Sequence, residues 1–123
     1  MFPVGRFGAF FADIRRTHLK LSLREFCQRN GFSPGNLSRL ERGKTRPPKS
    51  PKILKRYATA LGLEKESDDW VHFFDLAAAE RGEIPADLMS DQDLVRELPA
   101  LFRTLRGGRV RKLRELSDLV RRQ

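Results

Sequence analysis

The spacing of apolar residues along this chain predicts helices and almost no strands. Large apolar side chains recur every three or four residues, within segments that Gly, Pro and Ser separate. In a helix this spacing gathers the apolar residues on one face, whereas a half-buried strand would need strict alternation. We therefore predict an all-α protein whose helices each bury one apolar face.

Capping residues indicate where these helices begin and end. Ser22 and Glu25 have the spacing of a capping box, in which each side chain accepts a hydrogen bond from the backbone N–H of the other residue. Two aspartates follow Ser67, in the first turn of a helix, where the helix dipole favours anions. The predicted helices span residues 6–17, 22–30, 33–42, 50–61, 67–81 and 90–106, and a last helix follows Gly108.

The helical register also predicts which side chains form the core. We expect Pro99 to split or kink the sixth helix, the glycines at 107 and 108 to end it, and "GEIPADLMSDQ" to be a loop or short turn. The residues expected to point inward are Phe7, Phe10, Phe11, Ile14, Leu23, Phe26, Cys27, Leu37, Leu40, Ile53, Leu54, Tyr57, Ala58, Leu61, Trp70, Phe73, Phe74, Ala77, Leu94, Val95, Leu98, Leu101, Phe102 and Leu105, with a narrow stripe of Val110, Leu113, Leu116, Leu119 and Val120 in the last helix.

The second and third helices are separated by a very short turn. Gly31 stands where a left-handed residue can end a helix without a Cβ clash, and Ser33 with Pro34 starts the next helix at once. Helix, three-residue turn and helix is the spacing of a helix-turn-helix. In the second of these helices only Leu37 and Leu40 are large and apolar, so its outer face is free for contact with another molecule.

Net charge favours an anionic partner. The chain has a formal charge of +9 and a pI near 10.6, which favours nucleic acid first and an anionic membrane second. The basic excess lies in residues 1–65, whereas residues 66–107 are net acidic. A basic loop stiffened by Pro47 and Pro48 follows the third helix.

Other classes of protein find little support in the composition. The single cysteine, Cys27, excludes an internal disulfide and favours a reducing cytoplasm, and the isolated His18 and His72 form no zinc cluster. No signal peptide, membrane-spanning run, paired nucleophile and base, or phosphate-binding glycine loop is present. We expect neither an enzyme nor a cofactor. We expect Cys27 to be a core residue and both histidines to lie at the surface.

The stretch "LSLREFCQRNGFSPGNLSRLERGKTRPP" resembles the DNA-binding domain of the phage Cro/CI repressor group, the Xre-type helix-turn-helix regulators. The likeness covers roughly residues 6–63 and is carried by Ser22, Glu25, Gly31, Ser33 and the run "LSRLERGKTRPP". It implies a five-helix, lambda-repressor-like domain that binds double-stranded DNA as a homodimer, with residues 33–42 as the recognition helix in the major groove.

The resemblance also implies a set of contact residues. Base contacts fall on Pro34, Gly35, Asn36 and Arg39, and Arg and Asn can form paired hydrogen bonds with guanine and adenine. Pro34 and Gly35 depart from the polar residues of many relatives, which leaves fewer side chains to read bases. The expected contacts to the DNA backbone are Ser22, Arg24, Ser33, Ser38, Arg42, Lys44, Thr45, Arg46 and Lys49.

Two functions remain open for the whole chain. In the first, residues 1–82 are the DNA-binding domain of a cytoplasmic repressor that binds a palindromic operator, and residues 83–123 form a helical extension for dimerisation or partner binding. In the second, the chain is an antitoxin whose extension neutralises a toxin and whose DNA binding is autoregulatory. The cationic last helix could also lie on an anionic membrane, although pairing with another helix fits its narrow apolar stripe better.

Overall fold

The computed structural model describes the backbone of residues 6–122 and the side chains of residues 6–107. This part of the chain is all-α and contains no strand, as the apolar spacing predicts. The helices are α1 (Arg6–Asp13), α2 (Leu23–Asn30), α3 (Pro34–Glu41), α4 (Pro51–Ala60), α5 (Asp68–Arg81), α6 (Ala86–Met89) and α7 (Gln92–Arg122), and a π-helical turn (Ile14–His18) follows α1.

The helices divide between two compact units. Helices α1 to α5 belong to the unit Met1–Pro85, and α6 and α7 belong to the unit Ala86–Gln123. Within the first unit, α1 packs against both α3 and α5, and α2 packs against α3. The pair α2 and α3 is the helix-turn-helix that the sequence predicts.

Serine side chains begin four of the five helices of the first unit. Ser22, Ser33, Ser50 and Ser67 each accept a hydrogen bond from the backbone N–H three residues later, and Ser22 forms the complete capping box with Glu25. Each such cap contributes about 1 kcal/mol to helix stability. Gly31 ends α2 in the left-handed conformation, with φ of 70°. The predicted bounds of these four capped helices are therefore confirmed to within one residue, whereas the predicted first helix, 6–17, consists of α1 and the π-helical turn after it.

An aromatic cluster forms the centre of the first unit. Phe7, Phe11, Phe26 and Phe73 are fully buried. The ring of Phe11 lies 5.7 Å from that of Phe26 and 6.3 Å from that of Phe73 (centroid to centroid), which joins α1 to α2 and α5. Cys27 is buried in the same core, as expected.

Some of the predicted inward positions are wrong. Ile53 is 39% exposed, because the buried face of α4 is formed by Leu54, Ala58 and the following Leu61, and Ile53 lies a third of a turn away from Leu54. The predicted inward residues Phe10, Leu23, Tyr57, Trp70 and Phe74 are partly buried and pack against the core.

The second unit differs from its predicted form. Residues 86–89 form the short helix α6, and α7 is one 31-residue helix that contains Pro99 and continues through the glycines at 107 and 108. The predicted break at these glycines is wrong, because a glycine costs only about 1 kcal/mol inside a helix and long flanks of good helix formers can offset that. Leu101 and Phe102, expected inward, are each 40% exposed. The predicted stripe from Val110 to Val120 lies outside the described side chains.

Candidate nucleic-acid interface

Helix α3 is anchored by only two large side chains. Leu37 and Leu40 are buried in the core, whereas Pro34, Gly35, Asn36 and Arg39 are exposed. The four residues predicted to contact bases therefore share the outer side of one helix. Gly35 has an ordinary helical backbone, and a Cβ there would meet Arg39 Nη1 only at a van der Waals distance of 3.8 Å.

The two polar residues of this outer side are paired with each other. Arg39 Nη2 donates a hydrogen bond to Asn36 Oδ1 over 2.5 Å. Residues three apart are neighbours on a helix, so this bond holds both side chains over the same patch of surface. Both side chains are exposed, so the amide of Asn36 and the guanidinium of Arg39 offer accessible hydrogen-bond donors.

The carboxyl end of α3 lies in backbone contact with α1. A Cβ placed on Gly8 would lie 2.1 Å from the carbonyl oxygen of Leu40 and 2.8 Å from that of Glu41. Only glycine permits this approach. The sequence analysis did not single out Gly8, although a glycine inside an apolar helix is a known signal of close packing.

A buried ion pair connects the end of α3 to Arg15, which also contacts the backbone just before α2. Arg15 is 4% exposed, and its Nε and Nη2 donate to the two carboxylate oxygens of Glu41 over 2.8 and 2.7 Å. Its Nη1 donates to the carbonyl oxygen of Leu21 over 2.9 Å. The hydrogen bond with Glu41 raises the pKa of the Arg15 guanidinium, and this effect outweighs the opposing effect of burial. The sequence analysis missed this pair because the two residues are far apart along the chain.

Arg15 lies in the π-helical turn that follows α1. The backbone N–H of Leu19 bonds the carbonyl oxygen of Ile14 over 3.1 Å, which widens the turn, and Ile14 and Arg15 are both buried there. Turns of this type often occur at functional sites. Here the turn links the beginning of α2 to the end of α3, the two helices of the helix-turn-helix.

The residues predicted to contact the DNA backbone at the starts of α2 and α3 are exposed. Two of them, Ser22 and Ser33, already form hydrogen bonds within the protein. The hydroxyl of Ser22 donates to Glu25 Oε1 over 3.0 Å, and Ser33 Oγ accepts from the backbone N–H of Asn36 over 3.4 Å. Arg24, next to Ser22, is exposed. At the other end of α3, Arg42 Nε donates a hydrogen bond to the carbonyl oxygen of Ser38. Ser38 is half-buried.

The basic loop between α3 and α4 is fixed by contacts of its backbone with the rest of the first unit. Pro47 is fully buried, and its carbonyl oxygen accepts a hydrogen bond over 3.0 Å from Arg81 Nη1 at the end of α5. The first residue of the loop is fixed as well, since the backbone N–H of Lys44 bonds the carbonyl oxygen of Arg39 over 2.8 Å. The predicted backbone contacts of this loop are all exposed, namely Lys44, Thr45, Arg46 and Lys49.

The described residues contain no candidate metal site, and their one cysteine is buried. No three His, Cys, Asp or Glu side chains within that part of the chain could hold a metal ion. Burial raises the pKa of the Cys27 thiol, which keeps it protonated and unreactive. His18 and His72 are exposed, as expected.

A capped helix, a short glycine turn and a second helix with an exposed, partly polar outer face define a helix-turn-helix protein. The family model described as Helix-turn-helix domain matches residues 6–70, and the chain belongs to this family. No curated protein and no solved structure matches the chain. Among the described residues, no helix combines the length and the hydropathy that crossing a membrane requires.

Proposed function

We propose that this chain is a sequence-specific transcriptional regulator of the Cro/CI (Xre-type) group that binds double-stranded DNA in the cytoplasm. The observation that carries the proposal is the outer face of α3, where Asn36 and Arg39 are exposed and paired while two buried leucines fix the helix. An exposed helix of this kind fits the major groove of B-DNA, in which each base pair presents a distinct pattern of donors and acceptors.

Side chains on α3 carry the base contacts in this proposal. Arg39 donates to the acceptors of a guanine, and Asn36 pairs with an adenine. Pro34 and Gly35 offer only apolar and backbone contact. Discrimination between DNA sequences therefore depends mainly on the side chains of Asn36 and Arg39.

Two further segments position the duplex. Ser22 and Arg24 stand at the start of α2, where free backbone N–H groups and the helix dipole favour a phosphate. The loop after α3 supplies a second row of cations. The residues proposed to contact the DNA backbone are Ser22, Arg24, Ser33, Ser38, Arg42, Lys44, Thr45, Arg46 and Lys49.

We further propose that the chain acts as a homodimeric repressor on a palindromic operator. Residues 1–82 form the DNA-binding domain, and residues 83–123 form the extension that pairs two subunits. Two recognition helices would then enter successive major grooves about 34 Å apart, one turn of the double helix.

Selection of bound duplexes from a random pool tests this function. The full chain is expected to enrich an inverted repeat whose half-sites are centred about one helical turn apart. Enrichment of no sequence at all would contradict sequence-specific recognition by α3.

Exposed apolar residues in the second unit support a second candidate function, that of an antitoxin. Leu88, Met89, Leu101 and Phe102 are exposed there, and residues 86–107 carry four acidic and three basic side chains. Such a surface could hold a toxin, with DNA binding serving autoregulation. Co-expression with the product of the adjacent gene tests this function. If that product stops growth, co-expression of the full chain is expected to restore growth. The double variant Leu101→Asp, Phe102→Asp is expected not to restore growth.

A further inference from the structure

A basic cleft lies between the helix-turn-helix turn and α4, outside the residues assigned above. It is an open cavity of about 520 Å³. Phe32 forms one wall, and Lys52, Lys55, Arg56 and Thr59 of α4 form the other. No acidic residue lines it, so the cleft suits an anionic ligand.

The cleft is already formed and its walls are held by the core. The guanidinium carbon of Arg56 lies 5.2 Å from the centroid of the Phe32 ring, a cation–π contact. The same ring packs edge-on against Tyr57 at 5.0 Å and tilted against Phe26 at 5.8 Å. A ligand therefore enters without first ordering these side chains.

The cleft is close in sequence to the cap of α3 and to the basic loop, which favours DNA as its ligand. Phe32 directly precedes Ser33, the cap of α3, and Lys52 lies in the first turn of α4, three residues after Lys49 of the basic loop. Lys55 follows after another three residues, a rise of about 4.5 Å along the helix. Lys49, Lys52 and Lys55 thus follow one another at three-residue intervals from the basic loop into α4, and a DNA strand is a continuous row of negative charges.

We propose that this cleft binds the phosphodiester backbone of double-stranded DNA, next to the stretch that the basic loop contacts. Lys52, Lys55 and Arg56 neutralise phosphates there and add to affinity without adding sequence choice. This inference rests on the proposed function. An open cleft suits an extended backbone better than it suits an acidic peptide, which needs an enclosed pocket for an anchoring side chain.

The salt dependence of DNA binding tests the inference. The full chain is titrated with a labelled random-sequence duplex at several salt concentrations, beside the double variant Lys52→Gln, Lys55→Gln. Each lost phosphate contact lowers the slope of log affinity against log salt by about 0.9, so a decrease of about 2 is expected. The matched control is Lys65→Gln, since Lys65 is an exposed lysine beyond α4 that does not line the cleft.

Each other outcome overturns the inference in a distinguishable way. If the double variant binds DNA with the same slope as the unaltered chain, the cleft is not part of the interface, and the proposed function stands. If the unaltered chain does not bind the duplex, both proposals fail. If the double variant loses binding of a labelled polyglutamate peptide but keeps its DNA slope, the cleft is a protein-binding site. Thermal unfolding checks that the variants are folded.

Discussion

At the residue scale, the smallest side chain sets how closely α1 and α3 pack. Gly8 lets α1 touch the backbone of α3 at Leu40, and any Cβ there would overlap the Leu40 carbonyl oxygen. A protein interior is close-packed, so such an overlap must move a helix rather than a side chain. We infer that Gly8 determines how far α3 projects from the domain.

Replacing Gly8 by alanine tests this role. We expect Gly8→Ala to lower the free energy of unfolding by about 1–3 kcal/mol through overpacking, measured by chemical denaturation. Gly35→Ala is the matched control, because a Cβ at Gly35 meets no close atom and alanine favours a helix. The control is expected to be neutral or stabilising by up to about 1 kcal/mol. Equal stabilities for the two variants would show that α1 and α3 are free to separate.

The Arg15–Glu41 pair gives a second prediction at this scale. Glu41→Gln leaves a buried guanidinium without its counter-charge, which typically costs about 3–5 kcal/mol. The variant is expected to unfold at a markedly lower denaturant concentration than the unaltered chain. Glu64→Gln, at an exposed acidic residue, should stay within about 0.5 kcal/mol of the unaltered chain. A small loss at Glu41 would mean that the amide and water replace the carboxylate in this site.

At the scale of elements, the proposed function assigns different contacts to α3 and to the loop after it. In that proposal, residues on the outer face of α3 contact base edges, and the exposed lysines of the loop contact phosphates. The backbone of the loop is held at the buried Pro47, whose carbonyl oxygen accepts a hydrogen bond from Arg81.

This division predicts different losses for two alanine variants. Arg39→Ala is expected to lose about 1–3 kcal/mol of binding free energy on the selected operator and to relax preference at one base pair. Lys44→Ala is expected to weaken binding to all sequences alike and to reduce the salt slope by about 1. Titrations on the operator and on a random duplex measure both quantities. Equal losses for both variants on both duplexes would contradict the assigned roles.

The start and end signals of the elements differ in how well they predict structure. Helix starts in the first unit were predicted correctly because a serine cap is a contact between residues three positions apart. The expected stop at the glycines of α7 was wrong, because a glycine ends a helix only when the backbone there leaves the helical conformation. The wrong position of Ile53 has a similar origin, since the sequence marks a helix as amphipathic but does not fix the edge of its buried face.

At the scale of the whole molecule, the described buried cluster belongs to the first unit. All residues of the buried cluster lie between Phe7 and Ala77. We therefore expect a fragment of residues 1–85 to be helical and to unfold cooperatively, as circular dichroism during heating would show. A fragment that melts gradually would mean that the extension is needed for folding.

The same fragment tests the proposed role of the extension. If residues 83–123 pair the subunits, the fragment is expected to select a half-site where the full chain selects an inverted repeat. Selection of the same inverted repeat by both would place the dimer contact within the first unit.

The sequence by itself determined the helical class, the caps of the helix-turn-helix and the exposed face of α3. These features depend on residues within one or two turns of each other, so local spacing and charge contain them. Only the tertiary structure decided the contact of Gly8 with α3, the Arg15–Glu41 pair and the cleft between Phe32 and α4. Each of those joins residues from separate helices, and their distances are set by packing of the whole core, which no local pattern of residues expresses.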